Sequence, residues 1–377
     1  MYALVRPLLF ALDPGTAHTL GMAALAPLEH LAPLRAMVRA ILAPRRESLV
    51  VRTMGLTFPS PIGLAAGFDK NARRARALAS LGFGHLELGT ITALAQESNP
   101  SPNLFRLPLD RALVNRLGFP NEGAEVVMRR LSRRGGARRV GVPVGVSIGK
   151  SRAIGIDPLS TAIADYVTSF RAARQEADFV VVNVSSPNTK DLRALQNAEL
   201  ARGLLAALVR ENELGRRVPL LVKIAPDLTD EALDALLSVA KDLALTGIVA
   251  TNTTVSRAGL STPATQVESI GAGGLSGPPL RARALEVVRR SRVALGNEAT
   301  IFGAGGIASA DDVLAFVRAG ANLVQLYTGF VYGGPLVASQ LARDLHGALT
   351  RQGTKCIADL VGTSLSSATL SAGRIPN

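Results

Sequence analysis

Lys223 interrupts an apolar run, Leu220-Leu221-Val222-Lys223-Ile224, and a buried ammonium there needs an anionic or electron-rich partner. Two partners fit: a carboxylate in the core, or a flavin ring that becomes anionic on reduction and is stabilised near N1 and the C2 oxygen. Few acidic residues occupy the other apolar runs, which favours the second. Lysine is scarce in a chain whose default cation is Arg, standing only at positions 70, 150, 190, 223, 241 and 355, so a Lys beside an apolar strand points to a need for a compact ammonium. Asn115, Asn183, Asn188 and Asn252 each offer a donor and an acceptor without charge. That suits a small planar ring with imide and carboxylate groups, and Lys70 can pair with the carboxylate. Gly303-Ala304-Gly305-Gly306 and Tyr327-Thr328-Gly329 supply backbone N–H groups that can come close to a phosphate.

Apart from Asn115, which falls in an insertion after the second run, these residues share one kind of position, at or near the end of an apolar run. The tails are Ala66-Gly67-Phe68-Asp69-Lys70-Asn71, Gly89-Thr90, Ser147-Ile148-Gly149-Lys150, Asn183 through Thr189, Lys223 through Pro226, and Thr251 through Thr254. Each alone reads as a strand-end cap or turn; six together argue for a polar ligand. The runs themselves predict eight strands: Ile62–Phe68, His85–Thr92, Val142–Ile148, Phe179–Val184, Leu220–Ala225, Gly247–Asn252, Thr300–Ala304 and Leu323–Tyr327. Helical patterns lie between them at Ala72–Leu81, Pro158–Gln175, Ala198–Leu214, Asp230–Leu243, Leu280–Val293 and Ala310–Ala319, with Asp157, Thr229 and Ser309 placed as caps. The alternation predicts an α/β chain of parallel βαβ units closing into a (β/α)₈ TIM barrel; an open doubly wound sheet is the alternative. Barrels assemble their sites at the strand C-termini and often bind phosphate after the seventh and eighth strands, where the two glycine segments fall. Two insertions, Pro100–Pro120 and Val255–Gly277, also follow strand C-termini.

Residues 1–53 read as a helical extension, 54–352 as the barrel and 353–377 as a tail expected to be disordered. Asp13-Pro14 starts a helix, Pro27 and Pro33 break the stretch into two short ones, and Leu31, Leu34, Val38, Ile41 and Leu42 share a face flanked by Arg35, Arg39, Arg45 and Arg46. An apolar surface with basic edges fits a membrane interface; a helical pair packed on the barrel fits equally. Bulk composition narrows the function. Of 377 residues 47% are hydrophobic, enough for a large core. With no Trp and 4 Tyr there is little to stack on nucleic-acid bases, so the formal charge of +13 is read as solvated surface rather than a nucleic-acid footprint. The single cysteine, Cys356, excludes an intrachain disulfide and any multi-Cys metal site, and no metal is expected. No apolar run reaches the ~18–20 residues of a spanning helix, and the N-terminus lacks the order of a signal peptide.

The segments AAGFDKN, LGFGHLELGTIT, NRLGFPN, NVSSPNT, VKIAPDL, ATNTT, GGLSGPPL, GAGGI and LVQLYTGF, in order from about residue 1 to 350, resemble class 2 (quinone-dependent) dihydroorotate dehydrogenase. The resemblance implies a flavoenzyme in pyrimidine biosynthesis that oxidises dihydroorotate to orotate, with FMN in the barrel and an N-terminal helical extension that meets the membrane and admits quinone. Ser186 is then the base that takes the C5 proton while the C6 hydride goes to flavin N5, with Phe119 shielding the pocket and Thr189 relaying the proton. A serine needs a dry pocket and a proton exit to act so. The resemblance assigns FMN to Ala66, Gly67, Phe68, Asp69, Lys70, Thr90, Ser147, Asn183, Lys223, Thr251, Gly274, Gly305, Gly306, Tyr327 and Thr328. Orotate falls to Lys70, Asn115, Arg116, Leu117, Gly118, Phe119, Asn183, Asn188, Asn252 and Thr253, and quinone to His18, Arg106 and Tyr327. For His18 a surface histidine, and for Arg106 a loop cap, are the plainer readings. Many members carry Asn where Ser147 stands in GVSIGK, so that contact to the flavin is expected to be shorter in reach or water-mediated. A monomer on the cytoplasmic side of an inner membrane is expected. Other FMN barrels, such as class 1 dihydroorotate dehydrogenases and the dihydropyrimidine or dihydrouridine reductases, are the nearest rivals; they call for a cysteine base or cluster-binding cysteines, and this chain has neither. A basic nucleic-acid- or membrane-binding protein is the non-enzymatic rival, and it leaves the polar strand ends unexplained.

Overall fold

The computed structural model describes residues 2–365. Eight strands, β1 (Ile62–Leu64), β2 (His85–Ile91), β3 (Val144–Ile148), β4 (Phe179–Asn183), β5 (Leu220–Ile224), β6 (Gly247–Ala250), β7 (Thr300–Ala304) and β8 (Leu323–Leu326), form a closed barrel. Each lies parallel to its chain neighbour, and β8 returns to β1 through Val324↔Ile62, Gln325↔Gly63 and Leu326↔Leu64. The open sheet is therefore ruled out. Helices cover the outside, so every residue of β2, β3, β4 and β5 is buried, which is why these strands read as nearly continuous apolar runs. Six of the eight strands end earlier than the hydrophobic pattern predicts, while β3 and β7 end at Ile148 and Ala304 as expected. The first stops at Leu64, and beyond it Gly67 takes a φ of 103° that turns the chain across the barrel mouth. The polar tails thus leave the sheet and form the rim.

Side-chain capping sets several helix starts. Thr229 Oγ1 accepts from the Ala232 N–H at 3.3 Å, and Ser309 forms a reciprocal capping box with Asp312. Asp157 does not cap as predicted. Pro158 is extended and takes the cap position itself, and the helix begins at Leu159. Helices Ala124–Arg133 and Val337–Arg351 complete the outer layer where no helix is predicted.

The N-terminal end of the barrel is plugged. A hairpin, Val51–Thr53 with Leu56–Phe58, supplies Phe58, whose ring centroid lies 5.6 Å from that of His85; His85 in turn lies 5.1 Å from Phe302. A side chain at Gly63 would put its Cβ 2.1 Å from His85 Nε2, so only glycine leaves room. Neither ring nitrogen has a partner, and burial lowers the imidazole pKa to about 3, so His85 is a neutral filler. The hairpin spans the predicted 53/54 boundary and belongs with the barrel floor.

Four helices precede it, not two: α1 (Tyr2–Ala11), α2 (Pro14–Ala24), α3 (Ala26–His30) and α4 (Ala32–Leu42). Asp13 caps α2 by accepting from the Thr16 N–H at 3.0 Å. Pro27 and Pro33 fall in the first turns of α3 and α4, where a missing N–H breaks nothing and the helices start rather than stop. Buried Glu29 fastens the extension: one oxygen lies 3.0 Å from Arg134 Nη1 and the other accepts from the Ala77 N–H at 3.1 Å. The predicted apolar face of α4 divides. Leu34, Val38 and Leu42 are half-buried, while Leu31 and Ile41 stand 55% and 66% exposed. At the other end, residues 353–365 are not a loose tail. Ile357 is buried, and the Gly362 and Ser364 N–H groups donate to Val317 O and Arg318 O, both at 3.0 Å. The remainder of that predicted segment, 366–377, lies outside the described residues.

Candidate active site

The rim tails and both insertions enclose one cavity at the C-terminal end of the barrel. The insertions meet there: Leu104–Leu107, Ala112–Asn115 and Gly274–Ser276 form a three-stranded antiparallel sheet through Leu104↔Asn115 and Gly274↔Asn115. This sheet brings Asn115 and Ser276 to the cavity wall. Counting its open mouth, the space is about 1000 Å³.

Most predicted residues line it. Ala66, Gly67, Lys70, Thr90, Asn183, Lys223, Thr251, Gly305, Gly306, Tyr327 and Thr328 are in the wall, as are Asn115, Leu117, Gly118, Phe119, Ser186, Asn188, Asn252 and Thr253. Others stand behind it. Asp69 is buried with its carboxylate accepting the Arg73 and Arg74 N–H groups at 2.8 and 2.7 Å, so it holds the turn that leads into the next helix. Phe68 packs outward against His18, Tyr327 and Phe330. Ser147 faces Thr90 (Oγ to Oγ1, 2.9 Å), and Thr90 also accepts from Asn183 Nδ2 at 3.0 Å. Ser147 therefore reaches the cavity through Thr90. Arg116 donates to Pro102 O and Ile270 O, tying the insertions, and the Gly274 carbonyl accepts from Asn115 Nδ2 at 3.3 Å. Buried Thr189 lies outside the wall, its carbonyl accepting from the Leu192 N–H.

Around Ser186 the amides are linked. Ser186 Oγ accepts from the Asn188 N–H at 3.2 Å, Asn188 Nδ2 donates to Asn115 Oδ1 at 3.0 Å, and Asn252 Nδ2 donates to Ser185 Oγ at 3.0 Å. Phe119, 6% exposed, closes one side. Lys70 Nζ donates to Gly67 O at 2.7 Å; burial, offset in part by Asp69, lowers its pKa to about 8.

Lys223 corrects one expectation. Its Nζ lies 3.2 Å from Glu87 Oε1, a fully buried carboxylate on β2, so a core acid does sit opposite it. Lys223 nevertheless lines the cavity, and the two partners are not exclusive. Pattern reading also missed Ser276, Gly277, Leu280, Ile307 and Gln325, all in the wall. The lone polar residue inside Leu323–Leu326 was the available signal for Gln325.

The residues fit a phosphorylated flavin. Gly305 and Gly306 have φ of 144° and 70°, and their N–H groups donate to no acceptor among the described residues. They follow β7 beside Thr328 and Gly329 after β8, the usual phosphate position of a barrel. The cavity floor holds a cation, Lys223, and a buried oxygen without partner, Gln325 Oε1.

The three proposed quinone contacts differ. Tyr327 lines the cavity, its phenol raised to about 12 by burial. Its ring is 6.1 Å from Phe68, which is 4.9 Å from His18 on α2, giving an aromatic path from extension to cavity. His18 is lowered to about 4, chiefly by burial and then by Lys70, and stays neutral. Arg106 sits over the Phe10 ring at 4.7 Å and donates to Phe10 O and Leu12 O at 3.2 and 2.8 Å, closing the C-terminus of α1.

Residues 48–349 match the family model described as dihydroorotate dehydrogenase. A Thermobifida fusca protein named dihydroorotate dehydrogenase (quinone) is 49% identical over 360 residues, 95% of each chain. Its namesake in Rhodococcus opacus is 47% identical over 362 residues, 96% of this chain and 99% of the other. Among solved structures, the Eimeria tenella DHODH in complex with ferulenol superposes with a TM-score of 0.79 at 34% identity, covering 91% of this chain and 98% of that one.

Proposed function

The chain belongs to the dihydroorotate dehydrogenase family, on its quinone-dependent branch, and from that premise we propose that its cavity holds FMN on the floor and dihydroorotate beneath the two insertions. The reaction is the oxidation of dihydroorotate to orotate with quinone as final acceptor, a step of pyrimidine biosynthesis. FMN, when bound, supplies the two-electron acceptor that takes the substrate hydride and passes the electrons to quinone.

The chain's own residues do the rest. Ser186 removes the C5 proton. The Asn188 N–H, 3.2 Å from Ser186 Oγ, fixes the orientation of the hydroxyl in the pocket. Phe119 keeps water from the hydroxyl, which matters because a serine acts as a base only where solvent does not compete. Lys70 pairs with the substrate carboxylate, and Asn115, Asn188 and Asn252 read the ring amides. Gly305, Gly306 and Thr328 hold the phosphate. Lys223 offers positive charge to the flavin ring. Quinone enters past His18 and Phe68 toward Tyr327. Thr189, buried behind the Ser186 loop, receives the proton on its way out. Contact with the cytoplasmic face of a bilayer is made by α1–α4, and the working unit is a monomer.

The observation that carries the reading is a single cavity in which the Ser186 hydroxyl, four asparagines and Lys70 share walls with Lys223 and the two glycine loops. The purified protein should be yellow and bleach anaerobically on addition of dihydroorotate. Ser186→Ala should keep its FMN and bleach slower by about 10²–10⁴-fold, the usual worth of a positioned base. Bleaching at the wild-type rate assigns the proton to another group.

A further inference from the structure

Gln325 is 2% exposed, and its Nε2 donates to Glu87 Oε2 at 2.7 Å. The other oxygen of the same carboxylate lies 3.2 Å from Lys223 Nζ. A carboxylate can only accept, so the amide must turn its nitrogen to Glu87 and its oxygen away. That oxygen, Gln325 Oε1, is buried without a partner, and a buried carbonyl left so is costly unless something arrives to donate to it. Gln325 and Lys223 both line the cavity; Glu87 stands beneath them, its side chain fully buried.

We propose that Gln325 is a cofactor-binding residue and Glu87 its positioning residue, one carboxylate holding a donor (Lys223 Nζ) and an acceptor (Gln325 Oε1) side by side on the cavity floor. Such a pair recognises an edge where a carbonyl adjoins an N–H. The pyrimidine half of a flavin has that edge: Lys223 donates to the C2 oxygen, and Gln325 accepts from N3–H. Glu87 also balances the Lys223 charge and holds its Nζ in place on the cavity floor. The inference rests on the FMN reading above and adds the feature that tells this ring from a phosphate-bearing ligand without an imide.

The test is flavin affinity, independent of turnover. Full-length apoprotein, wild-type and Gln325→Met, is titrated with FMN and with 3-methyl-FMN, in which the N3–H is replaced, and flavin fluorescence gives Kd. Gln325→Met should weaken FMN about tenfold, the scale of one buried hydrogen bond. N3-methylation should weaken binding to wild-type by at least that much, and clearly less in the Met variant, because the same bond is already gone. Equal methylation penalties in the two proteins overturn the inference and leave water as the partner of Gln325 Oε1. Wild-type protein that binds neither flavin overturns the FMN reading itself. Glu87→Gln supplies a second measure: it should weaken FMN at least as much as Gln325→Met, because the carboxylate that aims both Lys223 and Gln325 is gone. Wild-type FMN affinity in that variant removes Glu87 from the assignment.

Discussion

At the scale of single residues, charge in the cavity is set by burial. Lys70 is held among rim backbone, with Asp69 as its nearest compensation, and its pKa falls to about 8. If its cation pairs with the substrate carboxylate, kcat/KM for dihydroorotate should decline above about pH 8, by roughly tenfold per pH unit once the amine is neutral. The sign follows from a lowered lysine: charge is present below the pKa and lost above it. Lys70→Arg should carry that limb beyond the measurable range, since a guanidinium does not titrate there. A limb at the same pH in the Arg variant belongs to some other group. Much of this chemistry was legible before folding, because a lysine or asparagine ending an apolar run has few reasons to be there. What stayed hidden was depth. Glu87, Lys223 and Gln325 come from strands β2, β5 and β8, and only the barrel register brings them to one level. The composition of each strand alone made Lys223 look unpaired.

At the scale of elements, the two insertions and the four N-terminal helices matter most. The insertions were visible as excess chain after the second and sixth strands, yet their pairing into one sheet was not, since Leu104–Leu107, Ala112–Asn115 and Gly274–Ser276 are short and lie far apart in sequence. The helices were under-counted for a different reason. Pro27 and Pro33 were read as breaks, and in both cases proline sits in a first turn. Their placement sharpens an experiment. The hairpin that ends at Phe58 plugs the barrel, so a truncation reaching into it would disturb the core. Removing residues 2–42 leaves the hairpin intact and deletes His18 with the aromatic path to Tyr327. This variant should still bleach with dihydroorotate within a few-fold of wild-type, while reoxidation by a soluble quinone should slow by at least tenfold. Equal loss in both half-reactions makes the extension a purely structural cover.

At the scale of the whole molecule, the exposed apolar residues are unevenly spread. Leu4, Leu8, Leu20, Leu31, Met37 and Ile41 of the first 42 residues are 80%, 72%, 50%, 55%, 55% and 66% exposed, against a barrel whose large apolar residues are mostly buried. Among the described residues no helix is long and apolar enough to cross a membrane, so any attachment through this surface lies in the interface plane. The formal charge of +13 adds attraction to anionic headgroups, but screening confines it to a Debye length of about 8 Å at physiological salt. The two contributions separate by experiment. Raising salt should weaken binding to vesicles containing anionic lipid and leave binding to neutral vesicles nearly unchanged. Leu4→Ser, Leu8→Ser and Ile41→Ser combined should weaken both, at about 1 kcal/mol for each partly buried side chain, or roughly a hundredfold in all. Flavin reduction by dihydroorotate should be untouched, because these side chains face away from the cavity wall. Co-sedimentation with vesicles read beside the bleaching rate decides it: a triple variant that binds as tightly as wild-type means this apolar face meets something other than lipid.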